Sequence, residues 1–202
     1  MSKNDEVRDQ IIMTALRLFN TKGFSQTSIQ DIMEASSLPK GAIYRRFTNK
    51  EAIALATFEK AGDIIWNHMV QASEQANTAT DKIIAIVYIY QDAVNNPPIE
   101  GGCPLLNTAV EADNTYPDLQ KAASEGYNQT LLFLQSIIED GMRDNEFHKD
   151  INSLSLASFL LSSMEGAIMA SRLSFNNDHI FYCIEQIKAL LNHYSSWMTP
   201  TS

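Results

Sequence analysis

Between Asp5 and Lys22 the apolar residues Ile11, Ile12, Ala15, Leu16, Leu18 and Phe19 recur at spacings of three and four, which places them on one face of a helix. Gly23 follows directly, and glycine tolerates the left-handed backbone that closes a helix, so a stop is predicted there. Thr27 with Gln30 three residues on has the spacing of a capping box; Ile29, Ile32 and Met33 extend it as an inner stripe, predicting a short second helix. Ser36 and Ser37 interrupt that stripe. Pro39, whose missing amide has no partner in a first helical turn, opens a third helix through about Arg46. Thr48 and Glu51 repeat the capping spacing, and Ile53, Leu55, Phe58, Ile64, Ile65 and Met69 support one long helix from Lys50 to about Ala76.

Beyond it the pattern predicts a helix near Thr80 to Asn95, a break at NNPPIEGGCP, a short helical stretch from Leu105 and a second break at DNTYP. Three longer helices follow, about Asp118 to Arg143, Asn152 to Leu173 and Asp178 to Trp197. No segment alternates as a strand would. The expected fold is therefore all-α: a three-helix head at residues 1–49 and a larger helical body at 50–202, joined by a helix rather than a flexible linker.

Composition changes this picture little. The 202 residues, 45% hydrophobic and 19% charged, suffice to bury a core. Charge changes it more. The chain carries −9 overall, yet residues 1–50 hold eight Lys/Arg (Lys3, Arg8, Arg17, Lys22, Lys40, Arg45, Arg46, Lys50) against five acids, a net of +3 that leaves −12 for the remainder. That polarity turns the head toward a polyanion and keeps the body away from it. The two cysteines, Cys103 and Cys183, form no CxxC or Cys/His cluster, so neither a disulfide framework nor a zinc site is expected. The N-terminus has no apolar secretory core, and no run reaches the ~18 uninterrupted apolar residues of a membrane span. A soluble, cytoplasmic protein without membrane attachment is the expectation.

Enzyme chemistry finds little support. There is no GxSxG elbow, Walker A loop, dinucleotide glycine fingerprint or HExxH pair, and His68, His148, His179 and His193 lack ligand spacing. The carboxylates Glu111 and Asp113 read as a solvated helix face rather than an acid/base pair. No catalytic residue, metal or cofactor is expected.

Thr27 to Arg46 has the length of a helix-turn-helix, with an apolar inner stripe on its first helix and a basic, small-residue surface on its second. In such a unit Gly41 and Ala42 would allow close approach to a major groove, while Lys40, Tyr44 and Arg45 reach phosphates or base edges. Thr27 and Ser28, at the start of the preceding helix, can bind a phosphate that also feels the helix N-terminus, and Lys50 adds a backbone contact. Ile32, Leu38, Ile43 and Phe47 read as core.

The segment FNTKGFSQTSIQDIMEASSLPKGAIYRRFTNKEAI resembles the DNA-binding signature of the TetR/AcrR family of bacterial regulators over about a quarter of the chain. It carries the Gly-Phe after the first helix, Thr-Ser-Ile, Asp-Ile, Lys-Gly-Ala-Ile-Tyr, Phe47 and Asn-Lys-Glu in that order. The resemblance implies a homodimer, a three-helix DNA-binding head and a divergent body that binds an inducer. Two positions depart from the pattern. Ser37 stands where the family usually has glycine, which bears on the turn, and Pro39 replaces a common serine, which removes a hydroxyl suited to a phosphate. The resemblance further implies that the last two helices form the dimer interface; small residues Ala157, Ser163, Gly166, Ala167 and Ala170 would permit close packing there or within the chain. A two-fold dimer would read a near-palindromic operator in double-stranded DNA, with half-sites about 34–36 Å apart.

IEGGCPLLNTAVEAD is similar to a segment in a subset of that family, in which a glycine-cysteine-proline enters the short sixth helix near the ligand chamber. Cys103 is then a structural cysteine or a thiol sensor, and no basic residue lies near it in sequence to stabilise a thiolate. Trp66, Met69, Tyr88, Cys103, Tyr127 and Met164, with Asn107 and Glu111 as polar partners, are the candidate ligand-binding residues, although the aromatic and methionine side chains taken singly read more readily as core. The functional expectation is a sequence-specific regulator, a repressor released by a small, largely apolar effector. The alternatives are a helical protein-interaction module without specific DNA binding and a thiol-based sensor regulator using Cys103.

Overall fold

The computed structural model describes residues 3–113 and 115–195, with side chains from Asp5 onward. Trp197, the expected end of the last helix, lies outside the described residues. Among these residues the elements are α1 (Lys3–Lys22), α2 (Ile29–Ser36), α3 (Lys40–Tyr44), α4 (Lys50–Glu74), α5 (Ala79–Tyr88), α6 (Pro104–Ala112), α7 (Pro117–Arg143), α8 (Ser153–Ser174) and α9 (Asp178–Tyr194). The only β-type pairing among them is an isolated bridge between Phe147 and Ser195. The all-α expectation is correct.

Local chemistry revises several ends. The cap of α2 is Ser28 rather than Thr27: Ser28 Oγ accepts from the Asp31 amide while the Asp31 carboxylate accepts from the Ser28 amide, a reciprocal capping box. At α4 the capping oxygen comes from Asn49, whose Oδ1 accepts from the Ala52 amide at 2.8 Å, not from Thr48. α5 stops at Tyr88; onward to Gln91 the backbone tightens into bonds such as Tyr90 N to Val87 O and Gln91 N to Tyr88 O. Pro104 occupies the first turn of α6, where its missing amide is harmless.

The chain forms two compact units. One takes in the described residues up to Ile64 together with Ile99–Gly126; the other takes in Ile65–Pro98 together with the described residues from Tyr127 onward. In the first, Ile11, Ile32, Ile43 and Ile53 are wholly buried in one cluster with Ile12, Ala15, Leu18, Phe47 and Ala56, each large side chain contributing about 1.5–3 kcal/mol. This cluster binds α1, α2, α3 and the start of α4. A second cluster, Phe24, Ala54, Ala112 and Leu119, brings α6 and the start of α7 onto the same unit. Phe24 is its centre, edge-on to Phe19 at 5.4 Å and to Tyr116 at 4.6 Å. Compaction therefore cuts the chain elsewhere than the 49/50 boundary read from the motif.

In the second unit α9 packs on α8 and α5 through Ile180, Ile184, Ile187 and Leu191. α8 is long and apolar enough by length and composition to cross a membrane, but Leu156, Leu160, Leu161, Met164 and Ile168 are buried in this unit's core. The Glu146 carboxylate accepts from the Ala79 and Thr80 amides at 2.7 and 2.8 Å, satisfying donors that open α5.

Two backbone positions differ in how well their residue fits. Ser37 closes α2 at φ 55°, with its amide donating to Glu34 O and the Leu38 amide to Met33 O; a Cβ is unfavourable in this left-handed region. Gly101, at φ 102°, lies so close to the Asn20 carbonyl that a Cβ could not be accommodated. Ser37→Gly is therefore predicted to stabilise the protein by about 0.5–1 kcal/mol, and Gly101→Ala to destabilise it by at least ~1–3 kcal/mol. Chemical denaturation should show midpoints moving in opposite directions.

Candidate nucleic-acid interface

α2 and α3 are joined by a three-residue turn, Ser37–Pro39, whose left-handed first residue reverses the chain sharply. α3 then anchors itself from beneath: Ala42 and Ile43 are buried, and Ile43 belongs to the head's central cluster. Its outer side presents Lys40, Gly41, Tyr44 and Arg45, all exposed. The Lys40 ammonium lies 5.6 Å from the Tyr44 ring centroid, one helical turn away, so the two form a paired cationic and aromatic surface. Gly41 has no left-handed φ, and a Cβ there would meet nothing within 4 Å. Neither backbone geometry nor internal packing calls for glycine.

The start of α2 is more occupied than the sequence suggests. Ser28 is exposed, but its hydroxyl donates to Asp31 Oδ2 at 2.5 Å, and Lys22 Nζ is 3.3 Å from Asp31 Oδ1. These bonds to the charged form, Ser28 foremost and then Lys22, hold the Asp31 carboxyl down at about 2. Thr27 is 1% exposed, and its hydroxyl donates inward to Gly23 O at 2.7 Å. Lys50 Nζ donates to Phe24 O and Thr27 O at 2.9 and 3.0 Å while lying 4.2 Å from the Phe24 centroid. Of the eight residues expected to face DNA, Lys40, Gly41, Tyr44, Arg45 and Ser28 are thus at the surface. Thr27 and Ala42 are internal supports, and Lys50 spends two of its three donors on the α1–α2 turn.

The turn is also gripped from α6, which the sequence pattern did not reveal. The Glu111 carboxylate accepts from the Phe24 amide at 2.5 Å and the Ser25 amide at 3.2 Å. Gly23, at φ 93°, makes room for it, since a Cβ would stand 2.8 Å from Glu111 Oε1. Beside it Asn20 Nδ2 donates to Glu100 O and Gly102 O, and Asn107 Nδ2 donates to Asn20 Oδ1 at 2.9 Å and to Gly101 O at 3.1 Å. Partners some 80 residues apart leave no periodic trace. The one visible signal was the pair Gly101–Gly102, both at positive φ.

The ligand candidates divide between the units. Cys103, Asn107 and Glu111 lie on or at the start of α6 in the first, with Cys103 buried at the helix cap. In the second unit Met69 and Met164 are buried and Trp66, Tyr88 and Tyr127 half-buried. Trp66 packs on Phe133 at 4.9 Å, and the Tyr88 hydroxyl accepts from Lys188 at 3.2 Å. Cys183, half-buried on α9, has its thiol pushed up by burial, which disfavours the reactive thiolate. Among the described residues no group of three or more His, Cys, Asp or Glu is placed to hold a metal.

Comparison with known proteins agrees with this arrangement. Residues 11–57 match the model of bacterial regulatory proteins of the tetR family, and residues 79–187 match that of the tetracyclin repressor-like C-terminal domain. A TetR-family transcriptional regulator from Cytophaga hutchinsonii superposes with a TM-score of 0.91 at 34% identity, covering 96% of this chain and 98% of its own. The HTH-type transcriptional regulator YxaF of Bacillus subtilis is 24% identical over 193 residues, 95% of this chain and 98% of its own length. The HTH-type transcriptional repressor DhaR of Mycobacterium sp. is 23% identical over 172 residues, 85% of each.

The lowered carboxyl of Asp31 has a measurable consequence. Its folded value of about 2 lies below the ordinary 3.8, so the stability it confers is complete above pH 3.8 and is lost as the pH falls through that window. Carboxyl-detected NMR titration should place Asp31 near 2, and Ser28→Ala should return it toward 3.8 while Lys22→Ala moves it less.

Proposed function

The chain belongs to the TetR family of bacterial transcriptional regulators, and from that premise we propose that α3 is the recognition helix of an operator-binding repressor. The observation that carries this reading is the outer face of α3: Lys40, Tyr44 and Arg45 exposed around a glycine that nothing inside the protein requires. A missing side chain at Gly41 allows the backbone to approach a groove edge. Lys40 and Arg45 supply charge for phosphates or guanine edges, and Tyr44 supplies an amphipathic ring. Ser28 and the remaining Lys50 donor suit the flanking phosphates, while Thr27 and Ala42 hold the two helices in place. The functional division remains a DNA-reading head at residues 1–49 and an effector-binding and dimerisation body at 50–202.

Dimerisation is assigned to α8 and α9. Ser155, Phe159, Ser162, Gly166, Met169 and Leu173 are exposed at alternating spacings of four and three along α8, with Phe181 and Tyr182 exposed on α9. That is the stripe of a helix seeking another helix, and Gly166, with open space around its Cβ position, lets a partner come close. Phe159→Arg should convert the dimer to monomer in sedimentation and abolish binding to a palindrome; an unchanged dimer would refute the assignment.

The effector is a small, largely apolar molecule held among Trp66, Met69, Tyr88, Tyr127 and Met164. Glu111 instead grips the α1–α2 turn and Asn107 holds Asn20 at the end of α1, so a shift of α6 reaches the head through them, with Cys103 at the helix cap. Coupling of about 1–3 kcal/mol would release the operator. The cytoplasm is the compartment where such a protein meets DNA.

Selection from random DNA by the purified protein should recover a near-palindrome. Lys40→Ala and Tyr44→Ala should each weaken it about tenfold, ~1.4 kcal/mol, and wild-type affinity should fall steeply with salt as counterions are released. No enriched sequence, with weak binding indifferent to both substitutions, would favour the interaction-module reading.

A further inference from the structure

The joint where α1, α4 and α6 meet holds a partly open cavity of about 40 Å³, lined within the first unit by Phe19, Phe24, Thr57, Phe58, Ala61 and Leu119 among others. Its chemistry is lopsided. Most of the wall is aromatic or aliphatic carbon, and no Lys, Arg or His lines it. The polar groups that do line it are mostly engaged: both Glu111 oxygens hold the α1–α2 turn, and the Asn20 and Asn107 amide groups hold each other and the Glu100–Gly102 loop. Two threonine hydroxyls are not so engaged: Thr108 is half-buried and within reach of water, whereas Thr57 is not. It is 3% exposed, and its Oγ1 has no hydrogen-bond partner.

A threonine or serine inside a helix ordinarily returns its hydroxyl to the carbonyl one turn back. Thr21 does so to Arg17 O at 2.7 Å and Ser36 to Ile32 O at 2.6 Å. Thr57 does not, and a buried hydroxyl without a partner is destabilising. A ligand oxygen or N–H in the cavity would remove that cost. At about 10–15 Å³ for each water-sized occupant, the inner space has room for roughly three or four heavy atoms. The wall fixes the ligand's charge, because the Glu111 carboxylate repels anions and the apolar lining desolvates any ion.

We propose that this cavity is a binding site for a small neutral alcohol or carbonyl compound, its oxygen paired with Thr57 Oγ1 and its carbons packed against Phe19, Phe24, Phe58 and Leu119. The site belongs to the first unit and is distinct from the effector residues assigned to the second. Because Glu111 and Asn107 line the same space, an occupant sits directly behind the grip on the α1–α2 turn.

The probe is 2-propanol, titrated into the full-length protein and followed by methyl NMR, a readout that does not depend on operator recognition. Saturable shifts are expected at Thr57, Ala61 and Leu119, with Ile86 and Leu160 of the second unit as unresponsive references. Thr57→Val, which removes only the hydroxyl's hydrogen bonding, should weaken binding about tenfold, and Ala61→Leu, which fills the space, should abolish it. If Ala61→Leu does not fold, Thr57→Val decides alone. Shifts that remain linear with concentration, that spread equally to Ile86 and Leu160, or that persist unchanged in Thr57→Val would overturn the proposal. So would crystals grown in 2-propanol that show only an ordered water on Thr57 Oγ1.

Discussion

The hydrogen bonds from the Phe24 and Ser25 amides to Glu111 are the constraint on which the arrangement of the first unit depends. Phe24 is where the chain leaves α1 and turns toward α2, and three helices and the segment before α7 meet on it: its amide is held by α6, its carbonyl by Lys50 of α4, and its ring by Phe19 of α1 and by Tyr116. Backbone amides in a turn have no helical partner and must find one. A carboxylate supplies the strongest neutral-to-charged acceptor available, worth more than an ordinary bond. Glycine at position 23 is the geometric condition for that contact, and Gly101 is the condition for the adjoining bonds between Asn20 and the loop that enters α6. A head that could have been an independent three-helix unit is thereby continued by a helix lying some eighty residues further along the chain.

This arrangement gives the head two kinds of residue. Lys40, Tyr44 and Arg45 face outward from a helix of five residues that could not stand alone and is held by Ile43 in the central cluster. Thr27, Lys50 and Ala42 face or reach inward and fix the angle at which that helix is presented. On the proposed reading, substitutions in the first group change what is recognised, whereas substitutions in the second change whether the surface is formed. The distinction matters for reading any mutational series on this protein, because Lys50 and Lys40 are both basic and close in sequence, yet Lys50 bonds inward while Lys40 is exposed.

The helices were legible in the sequence because each buries a stripe at regular spacing, and the family was legible because the order of residues from Gly23 to Glu51 resembles a known signature. Helix ends were less so. Thr27–Gln30 and Ser28–Asp31 both satisfy the capping spacing, and only the burial of Thr27 decides between them. The inward bonds of Lys50 and the grip of Glu111 were hidden for a different reason: they are contacts between a side chain and distant backbone, which depend on the turn's geometry and not on any periodicity. Asn107 and Glu111 looked like free polar groups for a ligand because their partners are main-chain atoms and an asparagine more than eighty residues away.

The central claim, that α6 sets the presentation of the recognition helix through Glu111, is tested most directly by operator affinity in Glu111→Ala. Hydrogen exchange at the Ile32 and Ile43 amides would report whether the head's core is intact. The account predicts unchanged protection at those amides together with operator binding weakened by about tenfold or more, although Glu111 lies on α6 and not on the recognition face. Wild-type affinity with the core intact would contradict it and would leave the head as a unit that needs nothing from α6.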